Sequence, residues 1–211
     1  MSSVRGDHIL VLAAGRGRRM GVPKALMTVE SELWWRTQQA RLEEVGAPAT
    51  WVVSAHVRGE LDGQEHPPER FAIADPDKPM FESLLVGLMT IATLQPRGVF
   101  VLPVDVPVPK VEVFRDLCIA SNTREEPRPA IPTYAGVTGH PVYLPWRWVC
   151  NIILPPEHGG RAAPLFGPQR RLDTLLENRH DTVDVVDPTI HINLNTPADV
   201  ENWLCPGLAS D

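Results

Sequence analysis

Cysteine is scarce: only Cys118, Cys150 and Cys205 occur in 211 residues. They lie far apart, are odd in number and never form a C-x-x-C pair. That spacing argues against a disulfide scaffold or a thiolate zinc site and for a reducing compartment. A surplus of positive charge is also missing. Twenty lysines and arginines against 26 aspartates and glutamates leave a formal charge of −6, the wrong sign for a general binder of nucleic acid or of membrane surfaces. No apolar run approaches the roughly 20 residues of a membrane-spanning helix. The apolar stretch near the N-terminus is too short for a signal-peptide core, so a soluble, cytoplasmic protein is expected. Internal repeats and low-complexity linkers are absent as well. At 43% hydrophobic residues the chain can bury a proper core, and a single domain over residues 1–211 is expected.

What is present is an alternation. His8–Ala13 is a continuous apolar run stopped by Gly15, as in a strand buried on both faces. Ser31–Val45 has helical spacing, with Ser31 as a candidate N-cap and Gly46 past the end. Thr50–Ser54 and Phe71–Ala74 read as strands, Glu82–Leu94 as a helix, Gly98–Leu102 as a further buried strand and Val111–Ala120 as a helix. The second half is looser and rich in proline. There Pro168–Arg179 reads as a helix, TVDVV and HINLN as short strands, and Pro197–Leu204 as a closing helix with proline in its first turn. Strand and helix in alternation predict an α/β sandwich with a mostly parallel sheet. In such sheets ligands gather at the carboxyl ends of the strands. Two conspicuous turns follow strands directly: Ala14–Lys24 and Pro103–Pro109.

The first turn, within LAAGRGRRMGVPKAL, carries Arg16, Arg18, Arg19 and Lys24 with no acid between Ala13 and Val29. It is not a Walker loop, because Lys24 follows Pro23 instead of a glycine. Nor is it a dinucleotide fingerprint, because Gly21 comes one residue late after Gly15 and Gly17. Two readings remain: a loop whose backbone N–H groups wrap a nucleotide while cations reach its phosphates, or an exposed basic turn whose glycines serve geometry alone. The second turn sets Asp105 just past a buried strand and between prolines. A lone carboxylate there suits magnesium, which takes one or two carboxylates and completes its shell with substrate phosphates. Capping the following helix is the other use for such an aspartate.

The string LAAGRGRRMGVPKAL resembles the signature LAAGxGxRMGxPKxL of the MobA-like nucleotidyltransferases, with every fixed position filled from Leu12 to Leu26. PVDVPVP resembles that family's (P/C)xDxP motif. MFESLLVGL places Ser83 and Gly87 on matching positions, Gly139-His140-Pro141-Val142 resembles a GHPV element, and NLNTPAD resembles the closing (D/N)x(D/N)TPxD element. The resemblance implies an α/β three-layer sandwich with a mixed, mostly parallel sheet, of the nucleotide-diphospho-sugar transferase type. It implies a Mg2+-dependent nucleotidyltransferase (EC 2.7.7 type) that moves an NMP from CTP or GTP to a phosphorylated acceptor and releases pyrophosphate. The favoured acceptor is a molybdopterin-type cofactor, which would make the chain part of molybdenum cofactor biosynthesis, with a molybdoenzyme or its chaperone as a protein partner.

By the same resemblance, Leu12, Ala13, Ala14, Gly15, Gly17, Arg19, Lys24 and Ser83 bind the nucleotide. Arg19, Lys24 and Asp105 are catalytic, and Gly139 and His140 lie on the acceptor side. Asp105 and Asn195, with Asn193 as a further candidate, hold the metal. Structural roles compete at several positions: an ordinary helical serine for Ser83, a loop histidine for His140, and a helix cap for Asn195. The family often has aspartates where Asn193 and Asn195 stand, so Asp105 is the main anionic ligand. Trp34 and Trp35 are expected to pack, while Trp146 or Trp148 is a candidate to stack on a flat acceptor. A sugar-1-phosphate nucleotidyltransferase and a non-catalytic nucleotide-binding module are the alternatives.

Overall fold

The computed structural model describes residues 4–123, 125–161 and 171–205. In chain order its first half comprises β1 (His8–Ala13), β2 (Thr28–Val29), β3 (Glu32–Leu33), α1 (Trp34–Val45), β4 (Ala49–Val53), α2 (Ala55–Asp62), β5 (Phe71–Ile73), α3 (Met80–Ile91) and β6 (Gly98–Pro103). The rest adds α4 (Val111–Asn122), β7 (Ala130–Tyr134), β8 (Val137–Thr138), β9 (Val142–Pro145), α5 (Trp146–Ile152), α6 (Leu172–Leu176), β10 (Asp181–Asp184) and α7 (Pro197–Leu204). The sheet runs β10-β7-β9-β6-β1-β4-β5, with β8 attached to β7. β9 is antiparallel to both of its neighbours and β8 is antiparallel to β7; the other pairs are parallel. This is the mostly parallel α/β sheet that the strand-helix alternation predicts, mixed as the family resemblance implies.

All six residues of β1 are buried, as a central strand covered on both faces requires. Alternate side chains part company. Ile9, Val11 and Ala13 join a core with Trp34, Trp35 and Leu42 of α1 and Phe114 of α4. Leu10, Leu12 and Ala14 join one with Leu84 and Leu88 of α3 and Val149 of α5. Gly87 lets α3 lie this close to the sheet, since a Cβ there would meet Val52 Cγ2 at 2.8 Å. The opposite end of the sheet, at the start of β1, is pinned by buried Asp7. Its carboxylate accepts from the Arg97 guanidinium, from the Tyr143 hydroxyl at 3.0 Å and from Cys118 Sγ at 3.0 Å. Burial pushes the Cys118 thiol up to about 12, which leaves it an inert core group.

Four local readings change. Glu30 and Ser31 both have positive φ, 50° and 70°, and form the two-residue turn of the β2-β3 hairpin. Helix α1 therefore begins at Trp34, with Leu33 and not Ser31 at its N-cap. Helix α2 is additional, because its buried pair Val57 and Leu61 is too short a stripe to stand out in the sequence. Its start is marked by Ser54, whose hydroxyl accepts from Val57 N at 3.2 Å. HINLN is not a strand: His191 ends a 3-10 turn over Pro188–His191 that Asp187 caps, and the following residues serve the site instead. Of the helix expected over Pro168–Arg179, residues 168–170 lie outside the described residues, and α6 covers Leu172–Leu176.

His8 in β1 is buried and hydrogen-bonded to Thr50 Oγ1 at 2.9 Å, and burial pulls its pKa down to about 4. A histidine depressed in the folded state stabilises fully above its unfolded pKa near 6.5, and that contribution is lost as pH falls through the folded value. Unfolding free energy should therefore drop by up to about 3 kcal/mol between pH 6.5 and 4. Urea titrations across that window check it, with His8→Gln flattening the slope.

Candidate active site

The strand order reverses at β1: the chain goes on to β4 on one side and later to β6 on the other. The crevice beyond the carboxyl ends of β1 and β6 is where an open α/β sheet receives ligands. Both conspicuous turns lie there. The β1 turn folds back on itself, with Met20 N donating to Gly17 O at 2.8 Å. Gly17 has φ +63°, and a Cβ on it would fall 1.8 Å from Val22 O. This closure returns the chain to Pro23 and the short 3-10 turn that presents Lys24.

Lys24 Nζ lies 2.5 Å from Asp105 Oδ2, with the two side chains only 17% and 19% exposed. It also donates to Asn195 Oδ1 at 2.8 Å, and Arg19 Nη2 donates to the same oxygen at 3.0 Å. Residues far apart in sequence thus form one polar cluster. Asp105 does not cap the next helix, whose N-cap is Lys110. Asn195 does not cap α7 either: Thr196 does, within a capping box completed by Asp199. Asp199 Oδ2 also accepts from Asn195 N at 3.0 Å, so the box orients the asparagine. Hydrogen bonds from Thr196 hold the Asp199 carboxyl below its usual range.

The loop bearing Asp105 is fixed from beneath. Trp34 Nε1 donates to Val104 O at 2.6 Å, Gln38 Nε2 donates to Val106 O at 2.7 Å, and Val108 N donates to Gln38 Oε1 at 3.0 Å. Leu194 N donates to Asp105 O at 2.9 Å and ties the tail to the loop. Trp34 and Trp35 are buried, as packing residues should be, but the loop-holding role of Trp34 and Gln38 is not visible in the sequence. The available signal is that Gln38 falls at helical spacing in the otherwise apolar stripe Trp34, Leu42 and Val45. Gln38→Met should leave Val106 O and Val108 N without their partner, at about 1–3 kcal/mol in stability. Thermal melts check this, and turnover should fall as the Asp105 loop loosens.

A cavity of about 300 Å³ sits over this cluster. Leu12, Ala14, Gly15 and Gly17 line it, as do Arg19, Lys24, Ser83, Asp105 and Asn195. Ala13 does not: strand alternation sends its side chain to the opposite face, into the core with α1. Arg16 turns outward and pairs with Asp77 through Nε at 2.6 Å, and Arg18 lies 3.9 Å from the same carboxylate. The acid missing from the local sequence is thus supplied by the loop after β5, while Arg19 and Lys24 meet at the cluster.

A larger cavity, about 1130 Å³, adjoins the first, and Leu12, Met80 and Pro103 line both. Gly139, His140 and Asn193 belong to the larger one, with Asn193 Nδ2 donating to His191 O at 2.9 Å. The Asn193 side chain thus bonds to His191 and lines the larger cavity, while its carbonyl accepts from Asn195 N at 2.9 Å. Among the described residues, His140 Nδ1 is buried without a hydrogen-bond partner. Burial lowers the His140 pKa while the charge of Asp105 acts the other way, so the ring is neutral at pH 7. Neither Trp146 nor Trp148 lines either of these two cavities; both are partly buried and pack against the core that includes Val149.

Asp105 and Asn195 offer hard oxygen donors, and among the described residues no group of three His, Cys, Asp or Glu could cage a metal. That sparse set fits a magnesium-type ion, which keeps waters and takes substrate phosphates, and does not fit an all-protein site. Also among the described residues, no helix is long and apolar enough to cross a membrane.

Solved structures share this fold. The Rv0371c homologue of Mycobacterium sp. strain JC1 superposes with TM-score 0.73 at 20% identity, covering 95% of this chain and 96% of that one. Rv0371c of Mycobacterium tuberculosis in complex with manganese gives 0.67 at 17%, covering 94% and 97%. Molybdopterin-guanine dinucleotide biosynthesis protein A of Archaeoglobus fulgidus gives 0.61 at 16%, covering 94% and 98%. Comparison with curated protein sequences gives no match. A family model for the MobA-like NTP transferase domain matches residues 9–184, a span that holds the glycine loop, Lys24 and Asp105. With its motif residues gathered at the switch point of the expected sheet, the chain belongs to the MobA-like NTP transferase family.

Proposed function

We propose that this protein transfers an NMP from CTP or GTP to a phosphorylated acceptor of the molybdopterin type, releasing pyrophosphate. The observation that carries the proposal is the Lys24–Asp105–Asn195–Arg19 cluster, which lines the smaller cavity beside the larger one. The triphosphate lies along the glycine loop, with its backbone N–H groups and Ser83 nearby. Arg19 and Lys24 neutralise the phosphates and the charge that grows on the α-phosphoryl oxygens as an acceptor oxygen attacks in line. Asp105, with Asn195 beside it, holds a divalent ion, Mg2+ in our assignment, which supplies Lewis-acid stabilisation of the same charge. No protein nucleophile is needed, because positioning and electrostatics carry such transfers.

The larger cavity favours the bulky acceptor over a small sugar phosphate. Most of its lining is apolar, including Phe81, Leu84, Val101 and Ile131, and its polar groups are Thr138, Arg171, Asp173, Asn193 and the imidazoles of His140, His180 and His191. A sugar ring would ask for many hydroxyl partners, whereas a flat heterocycle needs apolar area and a few convergent polar atoms. His140, neutral and with an unpartnered Nδ1, is one such atom.

Pyrophosphate release should be assayed with each of the four NTPs against molybdenum-bound molybdopterin, lactyl phosphates and sugar 1-phosphates. Release that depends on the pterin, and on CTP or GTP, supports the proposal. Turnover with a sugar 1-phosphate alone replaces the acceptor, and nucleotide binding without turnover on any acceptor makes the chain a binding module.

A further inference from the structure

The two groups given opposite tasks are, in this structure, each other's partner. Lys24 Nζ sits 2.5 Å from Asp105 Oδ2, and both side chains are largely buried. An ammonium at that distance occupies a coordination direction of the carboxylate that a divalent ion would use. Asn195 Oδ1 accepts from Lys24 at 2.8 Å and from Arg19 at 3.0 Å, so its carbonyl is already engaged by two cations. The asparagine is itself held by Asp199 through its backbone N–H and by the capping box on Thr196. Its carbonyl therefore points at Lys24 from a fixed position.

We infer that Asn195 is a positioning residue that holds Lys24 on Asp105 in the nucleotide-free protein, and that Lys24 there stands in the place of the divalent cation. The inference rests on the assignment of Asp105 as the metal carboxylate. Charge explains why such an arrangement is stable. Arg19 and Lys24 against Asp105 leave the cluster with one net positive charge, and a divalent ion arriving alone would raise it to three. A triphosphate brings the site back towards neutrality and offers Lys24 a stronger set of oxygens, so the lysine swings from carboxylate to phosphate. Asp105 is then released to the ion that the phosphates also ligate. Metal and nucleotide bind together, and the metal alone binds poorly.

The neutral amide is what makes this switch workable. An aspartate at 195 would pair with both cations and hold them against the nucleotide, and it would also attract a metal before the nucleotide arrived. Asn195 fixes direction without adding charge.

Mn2+ binding, followed by the loss of the free-ion electron paramagnetic resonance signal, tests this on the full chain with and without α,β-methylene analogues of CTP and GTP. Wild type should bind Mn2+ weakly alone. Lys24→Gln should bind Mn2+ alone about tenfold more tightly, within the usual range of site-to-site coupling. Asn195→Ala, which loosens the lysine, should also tighten Mn2+ binding. Were Asn195 a metal ligand, its loss would weaken binding instead, so the sign of this change decides its role. Unchanged or weaker Mn2+ binding in both Lys24→Gln and Lys24→Met would overturn the switch. Asp105→Asn is the separate check on the underlying assignment: it should abolish the binding that the nucleotide analogue promotes. Retained binding there would move the metal off Asp105 and overturn both ideas, whereas lost binding with an inert Lys24→Gln overturns the switch alone.

Discussion

Asp105→Asn should lower kcat for pyrophosphate release by about 10²–10³-fold, the scale of a single preorganised electrostatic group in such sites. The substitution keeps the size and shape of the side chain and should leave the loop where it is. That loop is fixed by contacts that do not involve the carboxylate: Trp34 to Val104 O, Gln38 to Val106 O and Val108 N, and Leu194 N to Asp105 O. What changes is charge. Arg19 and Lys24 are left with no anion in their cluster, so nucleotide affinity measured without a divalent ion should hold or rise while turnover collapses. Lys24→Met should show the complementary pattern, losing nucleotide affinity as well as turnover. Combined, the two substitutions should cost far less than the product of their separate effects, because the groups act as a unit. Steady-state assays of both single variants and the double variant, with nucleotide affinity measured separately, check all three statements. Near-wild-type turnover in Asp105→Asn would remove the metal role from that residue.

Much of this is legible in the residues alone. Continuous apolar runs stopped by glycine or proline mark β1 and β6, because a strand buried on both faces has no alternation to blur. The glycine spacing after β1 and the lone Asp105 after β6 point to their carboxyl ends, and the sheet order sets those ends side by side. Illegible are features that depend on partners distant in sequence. Nothing in the local sequence shows that Gln38 binds a loop some 70 residues later, or that Asp77 answers Arg16. Local chemistry also misleads at Ser31, a good cap residue that the hairpin needs for its turn, and at HINLN, whose alternation suggests a strand. For Asn195 the sequence offers a metal ligand or a cap. The contact to both cations is a third use that only the fold's juxtaposition of tail and loop makes visible.

Gly17→Ala should cut nucleotide affinity by about 100-fold, comparable to losing one or two charge-assisted hydrogen bonds. The backbone at φ +63° already costs a residue with a Cβ about 1–2 kcal/mol. The larger problem is the 1.8 Å approach of that Cβ to Val22 O, a backbone atom that cannot rotate away. Relief requires the loop to open between Gly17 and Pro23, which draws Lys24 away from Asp105 and Asn195. Two neighbouring glycines separate the possible causes. Gly21 has φ +75° but nothing within 4 Å of where a methyl would stand, so Gly21→Ala should carry the conformational cost and little else. Gly15 has neither a positive φ nor a neighbour within 4 Å, yet it lines the smaller cavity, so Gly15→Ala should leave the melting temperature unchanged. A methyl there stands between the backbone and whatever lies over it. If the triphosphate rests on the loop's N–H groups, Gly15→Ala weakens nucleotide binding with no loss of stability. Unaltered binding would mean that side-chain cations alone hold the phosphates, and that the first glycine of the loop serves only its geometry.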